Sequence, residues 1–244
     1  YGDHRDLHRV DRRQRQMCIR DSIIDAVPKI LLGIGLTFQL LVVSAVLGLV
    51  LAIGIMLMRI SGKWYLSWPA QIYIYIFRGT PILVQIFIVY YGFPQLEFIR
   101  ESFIWPLFRD PFGCAIVALT LNTGAYVSEI LRGGVMGVDR GILEAGTALG
   151  LSVRQRFIHL TSPIAIRLAL PAYGNDVISL LKSTALASTI TLADMTGIAR
   201  TIVAQTFAPY EIFISLAIIY MILTWILQKS LGRVERHLGR YMQK

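Results

Sequence analysis

The chain alternates long apolar runs with short charged segments. The first run has 29 residues without a formal charge, between Lys29 and Arg59. A membrane-spanning helix needs roughly 20 mainly apolar residues, because a bilayer core is about 30 Å thick. The pattern therefore predicts an all-α membrane protein. The same pattern predicts five transmembrane helices, at residues 28–58, 65–96, 112–131, 163–182 and 211–229.

Two of the predicted spans are irregular. In the second, Arg78 is followed by Gly-Thr-Pro, and the 14 uncharged residues before Arg78 are too few to cross the bilayer alone. We therefore expect one span, broken after Arg78, whose freed backbone groups are satisfied by neighbouring helices. The fourth span is weakly apolar and contains Arg167, Asn175, Asp176 and Lys182. Ionisable groups at membrane depth are costly, so these side chains should face the protein interior or water.

The composition supports a membrane protein. Of the 244 residues, 55% are hydrophobic and only 16% are charged, whereas soluble domains carry about a quarter charged residues. The net charge of +9 could indicate nucleic-acid binding in a soluble protein. Here the basic residues lie mainly between and after apolar runs, which is typical of membrane anchors. Lipid is therefore an expected partner, and nucleic acid is not.

Loop charges predict the orientation. With the N-terminus outside and the C-terminus in the cytoplasm, three basic loop residues lie outside, namely Arg100, Arg109 and Arg200. Eleven lie on the cytoplasmic side: Arg59, Lys63, Arg132, Arg140, Arg154, Arg156, Lys229, Arg233, Arg236, Arg240 and Lys244. The positive-inside rule favours this orientation.

The first 22 residues differ from the rest of the chain. They carry ten charges, show no apolar periodicity and lack the apolar core of a signal peptide. We interpret residues 1–22 as a disordered segment of foreign origin, such as a sequence-assembly scar, and residues 23–244 as one transmembrane domain. A disordered basic arm is the alternative interpretation of the first segment.

The charged loop at residues 139–160 has the local sequence of two short helices. Asp139 is a suitable N-cap for the first, and Gly150 stands where a left-handed C-terminal residue belongs. Ser152 and Gln155, three residues apart, form a capping box that opens the second helix. The sequence thus predicts a helix–turn–helix unit on the cytoplasmic side.

The first of these short helices has little side-chain bulk on one surface. Ala145, Gly146 and Ala148 are small, and small residues allow a helix to lie close against another surface. Glu144 supplies one charge for a partner. The helix therefore has the features of a plug for a groove on another protein. The alternative is an ordinary loop that folds back on its own bundle.

A spaced pattern in this loop consists of Glu144, Ala145, Gly146, Gly150, Leu160 and Pro163. It resembles the EAA loop of ABC-importer permeases, with Gly146 in place of the second Ala and Ser162 in place of a Leu. In that family the loop forms coupling helices that dock into a cleft on the ATP-hydrolysing subunit. The resemblance implies an ATPase-coupling role for Asp139, Glu144, Ala145, Gly146, Gly150 and Arg154.

Three further segments resemble the polar-amino-acid branch of these permeases. They are IFRGTPILVQIFIVYYG (76–92), LTLNTGAYVSEILRGGV (119–135) and LPAYGNDVISLLKSTAL (170–186). Within that branch they are most similar to the M-type subunit of histidine, lysine–arginine–ornithine and opine importers. The resemblance covers about residues 25–240 and implies the type I importer permease fold in a bacterial inner membrane. It also implies three partners: a dimer of ATP-binding subunits, a second homologous permease and an extracytoplasmic solute-binding protein.

Polar residues at membrane depth are candidates for the substrate pathway. They are Arg78, Gln85, Asn122, Glu129, Asp176, Ser179 and Lys182. Sparse groups of both signs suit an amino acid, although ion pairing within the bundle is the alternative. Arg78 either lines a cavity or ties down the break, and Glu129 either meets substrate or pairs with Arg132. Residues 183–201 are too polar to span and predict short outer helices, which either dock a binding protein or merely connect two spans.

The sequence GxxxxGK[ST] does not occur, so ATP hydrolysis is expected on a separate chain. We predict no catalytic residue, no metal site and no cofactor. The predicted function is that of a permease subunit of an ATP-driven importer for polar, especially basic, amino acids or opines. An ion-gradient-driven secondary amino acid transporter is one alternative, although its usual internal repeat of spans is not visible. A non-transporting membrane interaction subunit is the other.

Overall fold

The computed structural model describes residues 23–239, and this part of the chain contains helices and no strand. The foreign segment predicted at residues 1–22 lies outside the described residues. The helices are α1 (Ile23–Ile60), α2 (Trp64–Gly79), α3 (Ile82–Gln95), α4 (Glu97–Arg100), α5 (Trp105–Arg109), α6 (Pro111–Met136), α7 (Arg140–Ala148), α8 (Val153–Ile190), α9 (Met195–Thr206) and α10 (Pro209–Gly239).

Four of these helices are long and apolar enough to cross a membrane, namely α1, α6, α8 and α10. Helices α2 and α3 pass the same test only together, and they meet at a bend of 105°. Counted as one broken span, the pair brings the described part of the chain to five. The all-α membrane fold predicted from the apolar runs is therefore confirmed.

The core is built around the pairing of α1 with α6, which pack along much of their length. Glycines allow the two backbones to come close together. A Cβ at Gly48 would lie 2.8 Å from Thr123 Cγ2, and one at Gly124 would lie 2.8 Å from Leu51 Cδ2. Such small-residue contacts are the usual way in which membrane helices pack, because lipid provides little hydrophobic drive for association.

Helix α8 is longer than the span expected at residues 163–182. Its first turn, Val153–Arg156, continues through a π-helical turn at Phe157–Thr161 into the α-helix Ser162–Ser183, and a 3₁₀ segment completes it. The second short helix of the loop is thus the start of the fourth span. Charged residues ended the apolar run in the sequence, but they do not end the backbone helix.

The polar residues 183–201, predicted as short helices, divide between the 3₁₀ end of α8 at Thr184–Ile190 and the helix α9. Helix α9 begins at Asp194, whose fully buried carboxylate accepts hydrogen bonds from the backbone nitrogens of Thr196 (3.2 Å) and Gly197 (3.0 Å). Burial raises the pKa of the Asp194 carboxyl, and these hydrogen bonds oppose the increase. Thr196 Oγ1 also lies 3.2 Å from Tyr220 Oη, which ties α9 to α10.

Candidate substrate cleft and coupling loop

The break between α2 and α3 leaves one backbone carbonyl without its helical partner. Pro81 has no N–H, so the carbonyl of Phe77, four residues earlier, receives no hydrogen bond from it. Two side chains replace the missing donor. Gln85 Nε2 donates to Phe77 O at 2.9 Å, and Asn122 Nδ2 donates to the same oxygen at 3.2 Å. Side chains from α3 and from the neighbouring helix α6 thus satisfy the carbonyl of Phe77, as a membrane interior requires.

Gln85 is the centre of this network. Its side chain is buried, with an exposed fraction of 6%. Beyond Phe77, Nε2 also donates to Thr80 O (3.1 Å) and Thr80 Oγ1 (2.9 Å), and Oε1 accepts from Asn122 Nδ2 at 3.0 Å. The Thr80 hydroxyl donates in turn to Ile76 O at 2.8 Å. Gln85 therefore holds the backbone of the break, and its role in the substrate pathway stays a prediction.

A cleft of about 520 Å³ opens beside the break, between α2, α6 and α8. Four of the seven predicted pathway residues line it: Arg78, Asn122, Asp176 and Ser179. Arg78 is a cation and Asp176 is an acid, so the cleft contains groups of both signs. Lys182 is exposed on the same helix as Asp176, but it is not among the lining residues.

Tyr126 is a lining residue that the sequence analysis did not single out. The Arg78 guanidinium carbon lies 5.2 Å from the centre of the Tyr126 ring, a cation–π distance. Both residues also line a second cleft of about 420 Å³, together with Arg59 and Glu129. Sequence spacing could have identified Tyr126, because it lies four residues after Asn122 and three before Glu129, on one face of a helix.

Glu129 is held by arginines at the end of α6. Arg132 donates to both of its carboxylate oxygens, from Nε at 3.0 Å and from Nη2 at 2.8 Å. Arg59 Nε lies 3.6 Å from Glu129 Oε1. Pairing with Arg132, one of the two alternatives that the sequence left open, is therefore present. Within residues 23–239, no group of three or more His, Cys, Asp or Glu side chains could hold a metal ion.

The local structure of the loop at residues 139–160 agrees with its predicted caps. Asp139 Oδ1 accepts a hydrogen bond from Gly141 N at 2.6 Å at the start of α7. Gly150 has φ of +74°, the left-handed conformation expected after a helix end. Ser152 and Gln155 form both hydrogen bonds of the capping box, at 2.9 and 3.3 Å. The predicted caps and the left-handed turn are thus present, but the second helix is not a separate short helix, because it continues into α8.

The surface of α7 differs in one respect from the expected plug. Glu144, Ala145 and Arg154 are exposed, but Gly146 is buried. A Cβ at Gly146 would lie 2.6 Å from Leu160 Cδ1, so this glycine faces α8. The atom that it would meet is the end of a flexible side chain, so an Ala here would require the Leu160 side chain to shift. Gly146 thus lets the two arms of the loop lie in close contact.

Comparison with known proteins agrees with this architecture. A family model described as "Binding-protein-dependent transport system inner membrane component" matches residues 44–240. The chain therefore belongs to this family of inner-membrane transport components. It is a multi-pass permease subunit, as the resemblance of its loop and spans implied.

Individual relatives come from opine and amino acid transport. The chain is 48% identical over 206 residues to the octopine transport system permease protein OccM of Rhizobium radiobacter, covering 84% of each chain. It is 40% identical over 205 residues to the histidine/lysine/arginine/ornithine transport system permease protein HisM of Escherichia coli, covering 84% of this chain and 86% of HisM.

A solved structure also matches the fold. One chain from the crystal structure of an amino acid ABC transporter with histidines has a TM-score of 0.79 and 33% sequence identity. The match covers 88% of this chain and 97% of that one. The predicted type I importer permease fold is thus confirmed.

Proposed function

We propose that this chain is a permease subunit of an ATP-driven importer that moves polar amino acids or opines, with basic amino acids as the favoured class. The observation that carries the proposal is the cleft at the break, where Arg78 and Asp176 lie in one cavity with neutral polar side chains such as those of Asn122 and Ser179. An amino acid carries a carboxylate and an ammonium group. The arginine suits the carboxylate, and the aspartate suits the ammonium or a basic side chain.

The names of the relatives support this substrate class. Octopine, nopaline and the basic amino acids named for OccM, NocM and HisM all combine a carboxylate with a cationic group. A cleft with one fixed charge of each sign accommodates that shared part of the ligand. Which member of this class is transported depends on how the rest of the molecule fits the cavity.

The proposed complex contains two permease subunits, two ATP-binding subunits and an extracytoplasmic solute-binding protein. The second permease is a related but different chain. Residues 139–160 face the cytoplasm, as the distribution of basic residues favours. Exposed Glu144, Ala145 and Arg154 then contact the ATPase, while Gly146 and Gly150 shape the loop that carries them and Asp139 caps its first helix.

A detergent pull-down of the chain from its native membrane is the first test of these partners, with every co-purifying protein identified. We expect an ATPase with a phosphate-binding loop and a second permease. Recovery of the chain alone, under conditions that preserve other membrane complexes, would contradict the proposal.

Uptake by the reconstituted complex tests the substrate class. We expect ATP-dependent uptake of L-arginine, L-histidine or octopine and none of L-glutamate. Asp176→Asn should reduce uptake at least tenfold, because the variant keeps the size of the side chain but removes the charge that faces the cation. Unchanged uptake by Asp176→Asn would exclude the first cleft as the pathway.

The coupling surface is tested by charge reversal. Glu144→Arg should weaken ATPase association, because Glu144 is exposed on α7 and its replacement leaves the bundle intact. Glu101→Arg is the matched control, since Glu101 is an exposed glutamate on the opposite side of the membrane in the proposed orientation. Equal ATPase association by both variants would remove the coupling role from Glu144.

A further inference from the structure

Two polar stripes connect the first cleft with the second. Each stripe repeats at intervals of three or four residues along one helix, so its members share one face. They are Gln71, Tyr75 and Arg78 on α2, and Asn122, Tyr126 and Glu129 on α6. Seven residues of helix correspond to about 10 Å along the axis, which is longer than an amino acid backbone. The stripes therefore extend beyond a single ligand position.

Arg78 and Tyr126 are the members that belong to both clefts. Their cation–π contact forms a wall between the cavities, with the guanidinium carbon 5.2 Å from the ring centre. A guanidinium has five N–H donors on a planar fork and a long, flexible stem. One arginine can thus contact a carboxylate from either side of this wall.

The second cleft has its own charged groups. Arg59, Arg78 and Glu129 line it, so the lining holds two cations and one anion. Arg59 Nη1 donates to Ser67 Oγ and Gln71 Oε1, both at 3.1 Å, and Arg59 Nε is ion-paired with Glu129 Oε1 at 3.6 Å. The lining thus has one more cation than anion. This excess favours an additional anionic group such as a carboxylate.

We propose that the second cleft is an exit site for the carboxylate end of the transported amino acid. Arg78 holds the carboxylate while the solute leaves the first cleft, and Arg59 receives it on the other side of the Arg78–Tyr126 wall. The ammonium group passes from Asp176 to Glu129. This inference rests on the proposed function, and the experiment below separates the failure of one from the failure of the other.

The test uses single cysteines in the assembled importer in nanodiscs, with Cys18 and Cys114 both replaced by Ala. Tyr75→Cys probes the second cleft, where Tyr75 is 80% exposed, and Ser179→Cys probes the first. Ile72→Cys is the matched control, because Ile72 is exposed on α2 and outside the linings of both clefts. The rate of modification by a charged methanethiosulfonate is measured with and without L-arginine.

We expect L-arginine to slow modification at least fivefold at Tyr75→Cys and at Ser179→Cys, and not at Ile72→Cys. Adding Arg59→Gln should remove protection at Tyr75→Cys and keep it at Ser179→Cys. A purely structural role of Arg59 would change both sites together.

The other outcomes contradict one or both proposals. Protection at Ser179→Cys alone overturns the exit site and leaves the proposed function intact, whereas protection at neither site overturns both. Protection that includes Ile72→Cys reflects a global change and overturns the exit site. The exit site is also overturned if Tyr75→Cys does not react even without L-arginine, because the second cleft would then be closed to water.

Discussion

Pro81 and Pro171 both lie within membrane-length segments, but their consequences differ. The chain bends by 105° beside Pro81, whereas Pro171 lies inside the continuous α-helix Ser162–Ser183. Proline alone therefore does not determine the break. At Pro81 the preceding Thr80 is extended, with φ of −117° and ψ of 145°, as the residue before a proline prefers.

At Pro81 the freed carbonyl has two side-chain donors. Gln85 and Asn122 both donate to Phe77 O, so this carbonyl is satisfied although the backbone leaves the helix. The bend then exposes Arg78 to the cleft. The comparison indicates that the site exists because two amides stabilise a broken backbone, and four variants can test this.

The largest effect is expected for Gln85→Leu. This substitution keeps the bulk but removes every side-chain donor to Thr80 and leaves Phe77 O with one partner. Leaving a buried polar group unsatisfied costs about 2 kcal/mol. Thermal unfolding in detergent should show the loss, and uptake should fall at least tenfold. Gln95→Leu is the control, since Gln95 is exposed and bonds only locally. Equal effects from both would contradict the special role of Gln85.

A second variant restores a backbone donor. Adding Pro81→Ala to Gln85→Leu gives residue 81 an N–H that a continued helix can donate to Phe77 O. We expect roughly half of the lost stability to return, about 1 kcal/mol. Uptake should stay low because a straightened helix withdraws Arg78 from the cleft. Recovery of uptake together with stability would show that the bend is not needed.

Thr80→Val should have a smaller effect. It removes the hydroxyl that accepts from Gln85 Nε2 and donates to Ile76 O, but the other hydrogen bonds of Gln85 remain. One interhelical or side-chain hydrogen bond in a membrane protein contributes about 0.6 kcal/mol on average. The same unfolding assay measures the change. A loss as large as that of Gln85→Leu would mean that the hydroxyl, and not the amide, holds the break.

The smallest effect on uptake is expected for Pro171→Ala. The helix already continues through this position, so the substitution adds an N–H where the backbone is helical and removes the proline ring. Stability should rise, by about 1 kcal/mol or more, because proline is unfavourable in a helix interior. Uptake serves as the second readout. A large fall in uptake would show that Pro171 has a role in transport although the helix is continuous at this position.

Much of this architecture follows from the sequence because it depends on local rules. Apolar runs determine which helices cross the membrane, and the caps at Asp139 and Ser152 depend on residues three positions away or less. The broken span was also predictable, since Gly79, Thr80 and Pro81 disfavour a helix and the runs on each side are too short to cross alone. Boundaries were less accurate, because charged turns extend α8 beyond its apolar part.

The partners of each polar side chain were not predictable in the same way. Gln85 is a pathway candidate because it is a polar residue at membrane depth, but its hydrogen bonds to Phe77 and Thr80 form where the chain bends by 105°. Arg59 approaches Glu129 across 70 positions of sequence, which no local pattern encodes. A role of Lys182 in transport, like that of the cleft residues, stays a prediction. It is tested by comparing the effect of Lys182→Ala on uptake with its effect on assembly of the complex.

The continuity of α8 has a mechanical consequence. Its 38 residues form a rod about 57 Å long, which begins in the loop at residues 139–160 and ends beside α9. A rod of this length acts as a lever, so a tilt of roughly 5° at one end displaces the other by roughly 5 Å. Asp176 lies on the rod between its ends. A force applied at the loop end of α8 would therefore be passed along one helix to a wall of the cleft, with the π-helical turn at Phe157–Thr161 and Pro171 as the points where the rod can bend.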